Sequence, residues 1–218
     1  MITIAQNLNK ILTQLPEDVT LVAVSKTKSP EEIMQAYEAG QRDFGENKIQ
    51  ELAWKQAELP KDIRWHMIGH VQRNKVKYMA AFVHLIHGVD SLKLLREINK
   101  HGAKHKRVIP CLLQVHIAEE ESKFGFSEIE LKELLNQLAN ESLEHVAIKG
   151  LMGMATFTDD QEQLAREFKF LSDLKSGLQQ DYPQLQELSM GMSGDYELAV
   201  DYGSSMVRIG SSIFGHRN

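Results

Sequence analysis

Residues 19–24 read Val19-Thr20-Leu21-Val22-Ala23-Val24, and Lys26 follows two residues later. A short, almost unbroken apolar run predicts a strand that is buried on both faces, as in a parallel sheet. The polar turn Thr27-Lys28-Ser29-Pro30 then opens a helical pattern. We therefore expect Lys26 at the carboxyl end of a strand, the edge at which α/β proteins bind ligands. A strand-end lysine by itself is more often solvated, so other residues must support a functional role.

The rest of the sequence alternates apolar runs with amphipathic stretches. Strands are predicted near residues 19–25, 42–44, 63–69, 83–87, 108–117, 146–152, 187–191 and 206–209. Helices are predicted at 30–39, 48–58, 91–101, 128–138 and 161–178, and an additional helix at 4–15 precedes the first strand. Eight such units predict a single (β/α)₈ TIM-type barrel domain over residues 1–218 with an extra N-terminal helix. A doubly wound open sheet would give a similar order of elements and stays open as the alternative.

Composition narrows the classes of function. The chain has 218 residues, of which 42% are hydrophobic and 25% charged, and its formal net charge is -5. An acidic balance argues against a nucleic-acid binder, although Arg73, Lys75 and Lys77 form a local basic group. The single cysteine, Cys111, excludes an intramolecular disulfide and is compatible with a reducing compartment. Residues 1–14 resemble neither a signal peptide nor a membrane anchor, so we expect a cytoplasmic protein with no membrane partner.

Small residues are concentrated after the seventh and eighth predicted strands. The two stretches read Ser189-Met190-Gly191-Met192-Ser193-Gly194-Asp195 and Arg208-Ile209-Gly210-Ser211-Ser212-Ile213-Phe214-Gly215. Such turns let backbone N–H groups approach an anion, and Ser193 or Asp195 could cap the helix that follows. In barrels these two loops frequently form a phosphate site. Ordinary glycine turns are the alternative.

Arg208 lies near the end of an apolar strand, where a permanent cation needs a partner. An ion pair with a carboxylate is one solution, and a ligand acceptor is the other. A strand-end lysine, two phosphate-binding turns and this arginine together suit pyridoxal 5'-phosphate. The lysine would form a Schiff base, the turns would hold the phosphate and the arginine would face the ring nitrogen.

The chain resembles the pyridoxal phosphate homeostasis proteins along nearly its whole length. Each matching motif is weak alone, but seven in the same order are specific. The motifs are Ala23-Val24-Ser25-Lys26-Thr27, Phe44-Gly45-Glu46-Asn47, Trp65-His66-Met67-Ile68-Gly69-His70-Val71-Gln72-Arg73-Asn74-Lys75, Ser122-Lys123-Phe124-Gly125, Gly150-Leu151-Met152, Leu188-Ser189-Met190-Gly191-Met192-Ser193 and Met206-Val207-Arg208-Ile209-Gly210.

The resemblance implies a barrel similar to the N-terminal domain of alanine racemase, with pyridoxal 5'-phosphate on Lys26. It also implies contacts from several other positions to the cofactor. Phosphate contacts are implied for Ser193, Gly210 and Ser211, a ring-nitrogen contact for Arg208, and positions at the cofactor mouth for Asn47 and His70.

The sequence is compatible with three functions. The first is a carrier or regulator of the cofactor in vitamin B6 homeostasis, without efficient catalysis, whose partners are apo forms of pyridoxal phosphate enzymes. An arginine at the ring nitrogen favours it because guanidinium does not readily give up a proton, which weakens the cofactor as an electron sink. The chain is also too short for the second domain that supplies a tyrosine base in alanine racemase.

The second function is a racemase or decarboxylase that acts on amino acids, for which Tyr196, Tyr202 and His70 are the candidates for a second base. The third is a binding module for another phosphorylated metabolite, in which Lys26 would form an ion pair and no imine. We expect the first.

No metal site is expected from the histidines. His84 and His87 lie on a predicted strand, where a three-residue offset would turn them to opposite faces. No cysteine or carboxylate cluster in the sequence completes a zinc site with them.

Overall fold

The computed structural model describes residues 3–119 and 124–215. Within them, eight strands form one sheet: β1 (Thr20–Val24), β2 (Asp43–Glu46), β3 (Arg64–Met67), β4 (Leu85–Val89), β5 (Ile109–Val115), β6 (Val146–Gly153), β7 (Glu187–Met192) and β8 (Met206–Ile209). Each strand pairs in parallel with the next along the chain, and β8 pairs with β1. The sheet is therefore closed. This confirms the (β/α)₈ TIM-type barrel and excludes the open sheet.

Helices cover the outside of the barrel in the described residues. They are α1 (Ile4–Leu12), α2 (Pro30–Glu38), α3 (Ile49–Glu58), α4 (Leu92–Lys104), α5 (Glu128–Leu138), α6 (Gln161–Leu178), α7 (Tyr196–Asp201) and α8 (Ser211–Phe214). The predicted extra helix before the first strand is α1. Between β3 and β4 the connection is a 3₁₀ helix, Arg73–Tyr78. None of the described helices is long and apolar enough to cross a membrane.

Local sequence explains where several helices begin. Ser29 precedes α2 and accepts a hydrogen bond from the Glu32 N–H, while the Glu32 carboxylate accepts one from the Ser29 N–H. Ser127 and Glu130 repeat this reciprocal arrangement before α5. Such capping boxes satisfy N–H groups that have no partner inside the helix, so these helix starts were predictable to within a residue.

Alternate residues of the strands face opposite sides of the barrel wall. Ala23 packs in the outer layer, between strands and helices, whereas Val22 and Val24 belong to a separate interior cluster. That interior cluster comprises Val22, Val24, Ile68, Leu85, Leu112, Met152 and Met206. Other interior positions carry polar side chains, among them Arg208 of the site described below.

The prediction for His84 and His87 is wrong. β4 begins only at Leu85, so His84 precedes the strand and does not follow its alternation. Both rings contact His66, with centroids 5.3 Å and 5.2 Å from the His66 ring. His87 is fully buried and His84 is exposed.

Candidate functional site

Lys26 lies just beyond the carboxyl end of β1 and is partly buried. The Ser25 N–H still donates to the carbonyl of Gly45 at 3.0 Å, so the chain follows β2 up to the residue before the lysine. Thr27 then adopts a φ of 66°, which is unusual for a β-branched residue. Its N–H donates to Glu51 Oε1 at 2.6 Å. Hydrogen bonds from the residue before Lys26 and from the residue after it thus fix the turn that carries this lysine.

A buried charged cluster supports this turn from below. Lys55 is fully buried, and its Nζ donates to the Ser25 carbonyl at 2.7 Å and to Glu46 Oε1 at 2.8 Å. It also donates to Glu51 at 2.7 Å, and the Ser25 hydroxyl donates to Glu46 at 2.6 Å. Burial raises the pKa of Glu46, although Lys55 and Ser25 oppose the effect. The cluster connects the Lys26 turn to β2 and α3.

Lys55 was not predicted as a site residue, although the sequence contains a signal for it. Ile49, Leu52 and Lys55 follow one another at three-residue spacing in α3, and all three are buried. A lysine on the apolar stripe of a helix predicts a buried partner of opposite charge.

The turns after β7 and β8 meet at the carboxyl end of the barrel. The Gly210 N–H donates to Ser193 Oγ at 3.2 Å. A Cβ atom on Gly210 would lie only 3.2 Å from Val24, two residues before Lys26, so glycine permits a close approach of backbone to β1. Ser211 follows as the first residue of α8 and is exposed.

Neither Ser193 nor Asp195 caps a helix as expected. α7 begins at Tyr196 without a side-chain cap. The Asp195 carboxylate instead accepts from the Met192 N–H, and Ser193 accepts from Gly210. After Gly191, whose φ is 93°, Asp195 bonds back to its own loop, whereas Ser193 bonds to the turn after β8.

Arg208 points into the barrel and is 4% exposed. It donates to Ser189 Oγ at 2.6 Å and to the Gly153 carbonyl at 3.0 Å. Burial lowers its pKa to about 10, with Asp195 opposing the shift, so the guanidinium stays charged at neutral pH. No carboxylate in the described part of the chain forms a salt bridge with Arg208. The structure therefore does not support the ion-pair alternative for this residue.

Asn47 and His70 are exposed at the ends of neighbouring strands. A Cβ atom on Gly69 would lie 2.4 Å from the Asn47 carbonyl oxygen, so the backbones after β2 and β3 touch. His70 contacts Asp90 at 3.1 Å and stacks on Phe124, with ring centroids 4.3 Å apart. Ser122 and Lys123, from the same motif as Phe124, lie outside the described residues.

The parallel barrel brings the expected residues to one end. Because carboxyl ends of all strands share one rim, the structure groups at that rim the turns that carry Lys26, Asn47, His70, Ser193, Gly210 and Ser211. Arg208, on β8 itself, extends the group into the interior.

The three candidates for a second base do not all lie at the rim. The Tyr196 hydroxyl contacts Gln14 and Glu197, both at 3.2 Å, so it is directed toward the segment after α1. Tyr202 is the residue directly after α7. His70 is the candidate that lies on the rim itself.

A second polar group, at the amino ends of β2 to β4, was not expected. Asp43, His66 and His84 offer ligand atoms that lie within 4.8 Å of one another. The sequence predicted no carboxylate cluster that would complete a zinc site with His84 and His87, and the structure brings one carboxylate, that of Asp43, close to His84. Asp43 already contacts His66 at 3.0 Å and Arg64 at 2.7 Å, so its carboxylate is satisfied by protein donors. Polar residues inside short strands, such as His66 and His87, were the sequence signal for this group.

The sequence matches the model of the family described as "Alanine racemase, N-terminal domain" over residues 2–218. It is 37% identical to the pyridoxal phosphate homeostasis protein of Vibrio alginolyticus, over 100% of this chain and 99% of that protein. It is 39% identical to the protein of the same name from Schizosaccharomyces pombe, over 100% of this chain and 94% of that protein.

Solved structures agree with these sequence matches. PipY of Synechococcus elongatus, whose structure has been solved with PLP bound, is 38% identical, with a TM-score of 0.89 over 98% of this chain and 100% of that one. Alanine racemase from Bartonella henselae superposes with a TM-score of 0.73 over 98% of this chain and 60% of its own, at 18% identity. The likeness to the racemase shows a shared fold alone.

Proposed function

Because the chain belongs to the pyridoxal phosphate homeostasis protein family, we propose that it binds pyridoxal 5'-phosphate and carries or regulates this cofactor in vitamin B6 homeostasis. Residues 1–218 would form one cofactor-binding domain. The support is the match over the full chain and the arrangement at the carboxyl rim of the barrel.

Each part of the cofactor has a matching group in this chain. The amine of Lys26 would form a Schiff base with the cofactor's aldehyde. Ser193, Gly210 and Ser211 would hold the phosphate, since glycine at position 210 permits a close approach of the backbone to β1 at the rim. Asn47 and His70 would line the mouth. Bound there, pyridoxal phosphate supplies a reactive aldehyde and an electron-withdrawing ring.

The buried guanidinium of Arg208 is the observation that carries the proposal. A cation that is 4% exposed and has no carboxylate salt bridge in the described residues has donors to spare for another acceptor. The ring nitrogen of pyridoxal phosphate is an acceptor of suitable size. Because Arg208 stays charged at neutral pH, it would donate to that nitrogen and leave it unprotonated.

We propose little or no turnover of amino acids. A ring nitrogen that accepts from arginine makes the cofactor a weaker electron sink, which slows chemistry at the α-carbon of an amino acid. The Tyr196 hydroxyl contacts Gln14 and is directed away from the rim, which also argues against Tyr196 as the second base of an enzyme.

The proposed setting is cytoplasmic, and apo forms of pyridoxal phosphate enzymes are the proposed recipients. Cys111 is a free, buried thiol, which fits a reducing compartment. No nucleic-acid or membrane partner is proposed. Transfer is tested by mixing the loaded protein with an apoenzyme and following the return of that enzyme's activity.

The cofactor proposal is tested by absorbance spectroscopy of the protein with added pyridoxal 5'-phosphate, borohydride reduction and peptide mass mapping. We expect a yellow protein labelled on Lys26, and no label in Lys26→Ala. Lys28→Ala is the matched control, because Lys28 is bonded to Glu32 and the Phe214 carbonyl and should leave labelling intact.

An unlabelled, colourless wild-type protein would instead favour the metabolite-binding module. Efficient turnover of an amino acid by the labelled protein would favour the enzyme.

A further inference from the structure

The interior of the barrel contains a continuous chain of hydrogen-bonded side chains. TIM barrels usually fill this space with branched apolar residues. Here Arg208 contacts Ser189 at 2.6 Å, and Ser189 contacts His87 Nδ1 at 2.9 Å. His87 Nε2 contacts His66 Nδ1 at 2.9 Å, and His66 Nε2 contacts Asp43 at 3.0 Å. This hydrogen-bonded chain of five side chains thus joins the candidate cofactor site to the opposite end of the barrel.

All five side chains are shielded from water. Ser189 and His87 are fully buried, His66 is 1% exposed, and Arg208 and Asp43 are 4% and 8% exposed. In such surroundings an unmade hydrogen bond is costly, so each donor should meet an acceptor.

When both histidine rings are neutral, the two ends of this hydrogen-bonded chain fix the direction of every bond in it. Arginine can only donate, so Ser189 Oγ accepts from Arg208. At the far end, burial would raise the pKa of Asp43, but hydrogen bonds from Arg64 and His66 outweigh burial and lower it well below its usual value. Asp43 is therefore an ionised carboxylate that can only accept.

The tautomers of both histidines follow from these ends. His66 must carry its proton on Nε2 to donate to Asp43, which leaves Nδ1 as an acceptor when the ring is neutral. His87 must then donate from Nε2 to His66, and its Nδ1 accepts from the Ser189 hydroxyl. Burial is the largest cause that lowers the pKa of His87 well below its usual value, and the charge of Arg208 acts in the same direction, which agrees with a neutral His87 ring.

We propose that Ser189, His87 and His66 are positioning residues that hold the Arg208 guanidinium in place for the cofactor ring, with Asp43 as the anchoring charge of the chain. This role rests on the proposed function. The four bonds all run from the buried cation toward the buried carboxylate, so each polarises the next. Two histidines and a serine thereby couple Arg208 to an anion at the other end of the barrel.

The donor order is tested first, on protein without cofactor. Nitrogen NMR of histidine side chains at neutral pH should show both His66 and His87 as neutral rings protonated on Nε2. His87 protonated on Nδ1, or a charged ring at either position, would overturn the assignment. This measurement does not depend on cofactor binding.

The positioning role is tested by titration with pyridoxal 5'-phosphate. Ser189→Ala and His87→Leu should each weaken binding at least about tenfold, because each leaves a bond to a charged or polarised group unmade. Both should also shift the visible absorbance band of the bound cofactor. His87→Gln retains a donor and an acceptor and should recover part of the affinity. Met152 is an apolar interior residue that is not part of the hydrogen-bonded chain. Met152→Leu should therefore leave the absorbance band of the cofactor unchanged.

The possible results separate the two claims. If wild-type protein does not bind the cofactor, the proposed function and the positioning role are both overturned. If it binds, and Ser189→Ala and His87→Leu match it in affinity and absorbance, only the positioning role is overturned. Should His87→Leu fail to fold, Ser189→Ala decides, since it removes a single oxygen atom.

Discussion

Lys55 Nζ donates a 2.7 Å hydrogen bond to the carbonyl oxygen of Ser25, the residue immediately before Lys26. The same ammonium group neutralises Glu46, which is also fully buried. Helix α3 is therefore tied both to β2 and to the turn that carries the candidate cofactor lysine. This arrangement makes the position of Lys26 dependent on a buried ion pair.

Lys55→Met should lower the free energy of unfolding by about 3–5 kcal/mol, because it leaves the Glu46 carboxylate buried without its partner. Urea denaturation measures this loss. Adding Glu46→Leu should restore much of the stability, since an apolar pair avoids the uncompensated charge. Lys132→Met is the control, because its pair with Glu128 is exposed and worth about 0.5 kcal/mol. Equal losses in Lys55→Met and Lys132→Met would contradict the prediction.

His87 should make the protein less stable in mild acid. Its pKa is lowered in the folded state, so below about pH 6.5 the unfolded chain binds a proton that the folded chain does not. Stability then falls by about 1.4 kcal/mol for each pH unit until the folded-state pKa is reached. His87→Gln should lose this component of the pH dependence.

Urea titrations between pH 7.5 and pH 5 measure this slope. His105→Gln, which changes an exposed histidine after α4, should keep the wild-type slope. An unchanged slope in His87→Gln would count against a neutral buried His87.

Gly69→Ala should lower the free energy of unfolding by about 1–3 kcal/mol. The added Cβ would lie 2.4 Å from the Asn47 carbonyl oxygen, and the two strand ends would have to separate. Gly177→Ala in α6 has open space around the new methyl group and should instead raise stability by about 0.5–1 kcal/mol. Thermal unfolding compares the two variants, and the same sign for both would refute the steric argument.

Thr27→Gly should raise stability by about 0.5–1 kcal/mol, because glycine accepts a φ of 66° without strain. It should also weaken binding of pyridoxal 5'-phosphate, since the residue after Lys26 becomes less restricted. Lys106→Gly is matched to it: Lys106 has a φ of 53° and lies in the turn before β5, at the other end of the barrel. It should give a similar gain in stability with unchanged affinity. A loss of affinity in both variants would show that the effect is not local to Lys26.

The sequence contained strong signals for the elements of this fold. The apolar run before Lys26 predicted β1 to within a residue at each end, and the patterns at 128–138 and 161–178 predicted α5 and α6 at their observed bounds. These elements are determined locally, by periodicity and by caps such as Ser127 and Asp160. A helix was expected after Ser193 or Asp195, but without bounds, and neither α8 nor the 3₁₀ helix after β3 was predicted, since so few residues show no periodicity.

The sequence by itself determined the order of strands and helices, and hence which residues end each strand: Lys26, Asn47, His70 and the turns with Ser193 and Gly210. Only the tertiary structure decided that the sheet closes, because the pairing of β8 with β1 joins residues far apart in the chain. Closure also sets the interior neighbours, and it places His87 against Ser189, 102 residues away. Local patterns cannot specify such contacts, because they depend on strand register around the whole barrel.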